Sequence, residues 1–452
     1  MLSISLVRIR DSRCAQWDVN SLTKRSLGRV IGKQLVQFEA MQGQAVMPAR
    51  LLAMWASALQ TVAPQCAVTI VDDTAEALHL WDTDIVIFFM DAYNAAKTLA
   101  QAEICVKLSM RVIIASGAPD IYRRYSQTSP EIEWCTLDIH ETAKLLDVAD
   151  TIAAKDLIPA FHANAVGDYC PYFVPVSLAN IEDGTPRTTD EIIAEIHALR
   201  DNGMLTDDKR VIFDSPFDEE TSNDMIRDLA SRLVTLEISW CAWLPAITDL
   251  RDIAQLRRSG LILACLGKSM NFNTLMHDTT AREISAKSVS QLKTRGIAVV
   301  AEFVIHDQNA RIEMENARHI IKSGVDVPIV TLYTPVPEMP EFTSFLETGR
   351  FISTDWSRYN GDHIVYQTNC NSLVIERQCA EMQNDLNSGL KILARLLTPS
   401  IRQIAMWKNS TISTAESTAL RVAIASSARR SVQYPKKTQL KMLSDVILVG
   451  KY

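Results

Sequence analysis

A carboxylate and an imidazole stand at the ends of two apolar runs of this 452-residue chain. Asp214 follows Val211-Ile212-Phe213, and His306 and Asp307 follow the long run 298–305. Such a pair can take and return a proton if the fold brings Asp214 and His306 within hydrogen-bond reach. Lys268, just past Leu266-Gly267, and Thr334, in Tyr333-Thr334-Pro335, end two further runs, and Trp240 stands in another. His140 stands alone, either as a metal ligand or as a hydrogen-bonded surface or core residue. Nine cysteines are present, at 14, 66, 105, 135, 170, 241, 265, 370 and 379. Their number is odd, none forms a C-x-x-C pair and most lie in apolar sequence, so buried reduced thiols are expected. That pattern suits a cytoplasmic protein.

The elements that must position these residues alternate. Residues 67–73, 84–90 and 110–119 read as buried strands, with a helix over 48–63 before the first and another near 95–107 before the third. Strand, helix and strand with short turns imply a parallel, doubly wound sheet. Further strands are expected near 211, 235, 261, 298 and 328, separated by helices near 190, 223, 248, 282 and 313. With one more strand leading into the Cys170 segment, these make a six-stranded partial barrel, whose strand-end loops would carry the site. Residues 373–396 and 416–430 read as covering helices. The fold class expected is α/β, with a doubly wound domain at 1–155, a partial (β/α)6 barrel at 156–370 and a helical region at 371–452.

Composition limits the function classes. With 47% hydrophobic and 22% charged residues the chain is ordinary globular protein. A formal charge of −7 gives no basic face for nucleic acid, and the locally basic 428–437 reads as a solvated segment. No apolar run reaches the ~18 residues that span a membrane, and residues 1–10 lack a secretory hydrophobic core.

Several segments, in order, carry a resemblance. Cys170-Pro171-Tyr172-Phe173-Val174-Pro175-Val176-Ser177 stands where a C-x-x-x-C-x-x-C loop would be expected. Ser116-Gly117-Ala118-Pro119 is similar to a G-G-x-H-P turn, and Asp138-Ile139-His140-Glu141-Thr142 lies where a G-E-G-E-x-T turn is common. Tyr333-Thr334-Pro335-Val336-Pro337-Glu338-Met339-Pro340 resembles a TP-x-P-x-x-P loop. Residues 347–363 hold Asp355-Trp356, Tyr359, Gly361 and His363, a D-W-x-x-Y-x-G-x-H element. Together, over roughly 45–370, they resemble the cobalamin-binding class of radical S-adenosylmethionine proteins.

The resemblance implies ligand positions and losses. Ser116, Gly117, Pro119 and His140 fall at the cobalamin turns, while Lys268 and Thr334 fall at the S-adenosylmethionine pocket. Lys268 stands near where the family carries a carboxylate, and Gln308-Asn309-Ala310 replaces a glycine-rich turn. Family members hold a four-iron cluster through three thiolates, which soft iron sites require. Val174 and Ser177 at the second and third positions cannot do this, so no [4Fe-4S] cluster is expected, and no other metal site is called.

Three functions remain open. The first is a cluster-less homologue acting as a non-catalytic partner subunit, in a hetero-oligomer with an active paralogue of a biosynthetic pathway. The second is polar methyl transfer using cobalamin or S-adenosylmethionine in the retained pocket, with Asp214 and His306 as acid–base groups. The third is a radical enzyme whose cluster Cys170 holds with Cys241 or Cys265.

Overall fold

The computed structural model describes residues 2–10, 50–74, 83–92, 94–138, 141, 144–146, 173–179, 185–206, 210–213, 223–247, 249–267, 279–359 and 361–386. Two parallel sheets organise them.

The first sheet is built on β1 (Ser3–Arg10), which pairs on one side with β2 (Ala67–Thr74) and on the other with β3 (Ile85–Met90). Beyond β3 lie β4 (Arg111–Ser116) and β5 (Glu133–Thr136), giving the order β2-β1-β3-β4-β5. This is the doubly wound order in which ligands bind beside the reversal between β1 and β3. The central strands are apolar on both faces: all six residues of β3 are buried, as sheets covered by helices on both sides require. Helices α1 (Arg50–Val62), α2 (Ala95–Lys107) and α3 (Pro119–Tyr125) supply cover. One interior strand, β1, falls at 3–10, where no strand was expected. Its polar residues Ser3, Ser5, Arg8 and Arg10 mask the apolar Ile4, Leu6, Val7 and Ile9, all of which are buried.

The second sheet runs β6 (Phe173–Val176), β7 (Arg210–Phe213), β8 (Trp240–Trp243), β9 (Leu261–Leu266), β10 (Ala298–Ile305) and β11 (Val327–Leu332), each beside the next. Between successive strands come α4 (Thr189–Asp201), α5 (Asn223–Leu236), α6 (Leu250–Arg258), α7 (Thr279–Thr294) and α8 (Ala310–Lys322). Sequential parallel strands with returning helices are the topology of a partial β/α barrel. The strand expected near 235 is displaced to 240–243, because Leu229, Leu233 and Leu236 extend the apolar stripe of α5 to that point.

The two faces of this sheet differ. Val211, Phe213, Trp240, Leu261, Val299, Ala301 and Phe303 join the main core beneath the helices. Cys241, Leu263, Cys265, Ala298 and Val300 form a separate cluster on the opposite, inner face, with Ile212, Trp243 and Ile329 packed against it. Trp240 therefore belongs to the helix side, where its indole N–H donates to the Ser259 carbonyl at 3.0 Å, and it does not line the mouth.

Two local devices fix the loops. Thr188 caps α4 in a reciprocal box with Glu191, which satisfies two otherwise unpaired amides. Gly267, just past β9, adopts φ +117° with its backbone against Glu302; a methyl there would lie 2.1 Å from the Glu302 carbonyl oxygen. Only glycine fits that position. After β11 come α9 (Pro340–Glu347) and α10 (Ser372–Leu386). Gln383 of α10 accepts from the buried Val330 amide at 2.9 Å, so this helix seals the β11 edge. The remainder of 373–396, the helix read at 416–430 and the basic 428–437 lie outside the described residues. No helix among the described residues is long and apolar enough to cross a membrane.

Candidate ligand site at the barrel mouth

Alternation along β10 and β11 turns Glu302, Val304 and His306, with Ile329, Thr331 and Tyr333, to the inner face. The His306 ring stacks on Tyr333, centroids 4.8 Å apart and planes inclined by 26°. Beneath it lies Glu313 of α8, whose side chain is completely buried. One Glu313 oxygen accepts the His306 backbone N–H and the other lies 3.2 Å from Nδ1. This pair of contacts fixes the ring, with Nδ1 turned toward the Glu313 carboxyl.

A second pair borders the same cavity. Asp307 is buried, and its carboxylate accepts the Tyr366 hydroxyl at 3.0 Å. Burial first, and the Asp307 charge second, push the Tyr366 phenol well above its ordinary value, so it stays a donor. Tyr333 meets Tyr366 edge to face, centroids 6.1 Å apart. The Arg350 guanidinium lies 4.5 Å over the Phe345 ring, a cation–π contact. These groups enclose about 250 Å³ at the carboxyl ends of β10 and β11, slightly below the ~300–1,000 Å³ of sites for drug-sized ligands. The cavity can hold a small planar molecule, with the His306 imidazole on its wall.

The residues expected from sequence distribute unevenly. His306 and Asp307 do line the cavity. The partner expected for His306 was Asp214, which lies outside the described residues; its strand β7 is separated from β10 by β8 and β9, and Glu313 holds the ring. Thr334 is buried, with its hydroxyl 3.2 Å from the carbonyls of Leu332 and His363. It braces the closing element and does not border this cavity. Lys268 and His140 lie outside the described residues. Glu313, Arg350 and Tyr366 were missed. Glu313 carried a signal: it falls on the stripe Ala310, Glu313, Met314, Ala317 and Ile320 that α8 buries, and a lone carboxylate in an apolar stripe needs a partner.

The Cys170 segment also reads differently. Phe173–Val176 is β6 itself, in register with β7 through Val174↔Val211. Strand character follows from Phe173, Val174 and Val176, and Val174 is fully buried under the helices. Cys170 precedes this strand in sequence, whereas a loop at the barrel mouth must follow it. The segment that does follow, 177–187, contains no cysteine. Within it Ser177 is buried and its carbonyl accepts from Arg187 at 2.9 Å. Cys241 and Cys265 lie side by side in the inner apolar cluster, and burial holds the Cys241 thiol well above its ordinary value.

The turn after β4 meets the barrel directly. Ser116 is buried, with its hydroxyl accepting from the Ala118 amide at 3.2 Å, and Pro119 opens α3. A methyl built on Gly117 would lie 2.8 Å from Cγ of Glu338, a residue of the 335–340 loop after β11. The Tyr122 hydroxyl donates to the same Glu338 carboxyl at 2.9 Å. Nearby the D-W-x-x-Y-x-G-x-H element ties the two sheets together. Trp356 packs between Tyr122 and Tyr359, centroids 4.8 and 4.9 Å away, and its indole N–H donates to Ser126 at 3.1 Å. Gly361 backs onto Thr331, and its carbonyl accepts the Leu332 amide at 2.6 Å.

No protein-family model matches this sequence, and no curated protein does. Among solved structures, one similar chain is the cobalamin-dependent S-adenosylmethionine radical enzyme OxsB with aqua-cobalamin and S-adenosylmethionine bound. It matches with a TM-score of 0.51 at 12% identity, covering 90% of this chain and 70% of OxsB. This likeness establishes a shared fold, a parallel α/β architecture of the kind that enzyme has.

Proposed function

We propose that this chain is a cluster-less homologue of cobalamin-dependent radical S-adenosylmethionine enzymes, serving as a non-catalytic partner subunit beside an active paralogue in a biosynthetic pathway. The observation that carries this reading is that Phe173–Val176 forms β6, so the sequence that follows it up to the next helix, 177–187, contains no cysteine. Three thiolates near one mouth are what a site-differentiated cluster needs. Cys241 and Cys265 support the same reading, since both are packed in the barrel interior. The test is anaerobic reconstitution of the full chain with iron and sulfide, followed by visible spectroscopy and iron assay. The expected result is no bound iron; near-stoichiometric four-iron content overturns the proposal.

A second reading has a specific observation in its favour, the His306–Glu313 pair in an aromatic cavity. In it, a substrate X–H attacks the methyl carbon of S-adenosylmethionine, the sulfur–methyl bond breaks to release S-adenosylhomocysteine, and His306 takes the proton. Positioning and a base suffice for such transfer. Calorimetric binding of S-adenosylmethionine that is weakened by H306A would favour this reading over the first.

A further inference from the structure

Two groups of opposite charge border the mouth cavity without pairing with each other. Asp307 is 8% exposed, and among the described residues its carboxylate has one hydrogen bond, accepted from the Tyr366 hydroxyl. Arg350 is half-buried. Its carbonyl accepts the Gln367 amide at 2.6 Å and its own amide donates to the Phe345 carbonyl at 2.9 Å, beside the antiparallel bridge between Phe351 and Tyr366. The backbone under this side chain is therefore fixed. The guanidinium lies 4.5 Å over the Phe345 ring and donates to the Gln367 carbonyl at 3.4 Å, and no carboxylate among the described residues stands within ion-pair distance of it.

Each group is incomplete for a different ligand atom. A guanidinium offers a planar fork of N–H donors that matches a carboxylate in shape, and most of that fork is unused here. An ionised carboxylate accepts on both oxygens, and Asp307 has acceptor capacity left for an ammonium. A ligand with one charge alone would leave the other group desolvated and unmatched, which is unfavourable; a zwitterion meets both. Tyr366 and Gln367 are consecutive, and both charged groups line one cavity of about 250 Å³, so a single small ligand can reach the two. The wall beside them is aromatic, with His306 stacked on Tyr333 and Tyr366 edge-on to it, a surface that favours a flat ring. Two further carboxyls lie near this wall: Glu313, held by His306, and the exposed Glu341 of α9, whose charge acts on the Tyr333 phenol. Neither lines the cavity.

We propose that the mouth cavity binds a free aromatic α-amino acid, with its carboxylate on Arg350, its ammonium on Asp307 and its ring against the His306–Tyr333 wall. Such binding requires neither iron nor turnover, so it rests on neither reading of the function, and its failure leaves the outcome of the iron assay untouched.

The test is isothermal titration calorimetry of the full-length protein at neutral pH with three probes: L-phenylalanine, 3-phenylpropionate, which lacks the ammonium, and phenethylamine, which lacks the carboxylate. Wild type should bind L-phenylalanine roughly tenfold or more tighter than either analogue, on the scale of one hydrogen bond to a charged group. D307N keeps an acceptor for Tyr366; it should bind L-phenylalanine and 3-phenylpropionate alike and still discriminate against phenethylamine. R350Q should lose the opposite preference, binding L-phenylalanine and phenethylamine alike. The three wild-type titrations decide the matter by themselves should a variant not fold. No heat with L-phenylalanine, or equal affinity for it and either analogue, overturns the inference. So does S-adenosylmethionine binding about tenfold more tightly than L-phenylalanine and displacing it, an outcome that would leave the second reading standing.

Discussion

Replacing Trp356 tests whether the D-W-x-x-Y-x-G-x-H element is a clasp between the sheets or a local turn. Trp356 is 7% exposed and touches two aromatic rings at under 5 Å, while its N–H reaches Ser126 in the other sheet's domain. A buried Trp→Ala change costs about 3–5 kcal/mol through lost transfer and the cavity left behind. Within that total each aromatic pair contributes about 0.5–1.5 kcal/mol and the hydrogen bond about 1 kcal/mol. W356A should therefore cost about 3–5 kcal/mol, and S126A about 1 kcal/mol. The assay is urea unfolding followed by far-UV circular dichroism. Wild type should unfold in one transition, whereas W356A should separate the first sheet from the barrel and show two. A double-mutant cycle with Y122A should return a coupling near the aromatic-pair value. If W356A costs less than about 1 kcal/mol and leaves a single transition, the clasp argument is wrong.

Three other outcomes follow from the same contacts. E313A leaves the His306 amide and ring Nδ1 without their partner and should cost about 1–3 kcal/mol; measured by urea midpoint, part of this loss should disappear in an H306A background. Because burial, then Asp91, raises the Glu338 pKa in the folded state, its stabilising contribution is complete below the ordinary carboxyl value of about 4.5 and is lost as pH rises through the raised folded value. E338Q and wild type should thus unfold alike in acid, with wild type becoming the less stable above that window; the opposite trend in melting temperature would refute the burial argument. Native labelling with a maleimide should modify the exposed Cys370 and spare Cys105, Cys241, Cys265 and Cys379 until urea is added, since burial pushes the Cys105 thiol up to about 11 and Cys379 to about 12. Rapid modification of Cys241 or Cys265 would reopen them as ligands.

The α/β rhythm was readable because buried parallel strands are nearly unbroken apolar runs, as β3 and β10 are. β1 escaped because serines and arginines alternate with its apolar residues, a pattern that a half-exposed strand or a plain terminus shares. β6 was mistaken for a loop because Cys170–Ser177 was laid over a C-x-x-x-C-x-x-C loop; Pro175 is tolerated there because β6 is an edge strand, paired among the described strands with β7 alone. At the mouth, His306 and Asp307 could be placed by following β10 to its end. Glu313, Tyr366 and Arg350 could not, because they arrive from α8 and from the chain beyond α9, and only packing decides which strand end they face. Glu338 was quoted within a motif, yet nothing in its spacing tells that it crosses to Gly117.

The place of β1 has a consequence for how the chain must be made. It is an interior strand of its sheet, yet both neighbours come later, β2 from Ala67 and β3 from Ile85. Until those residues leave the ribosome, Ile4, Leu6, Val7 and Ile9 form an apolar ribbon with two unpaired edges, a surface prone to mispairing. Slow growth at low temperature or chaperone co-expression should raise soluble yield. Removal of residues 1–10 takes out the strand between β2 and β3, leaving β2 with no described strand to pair with.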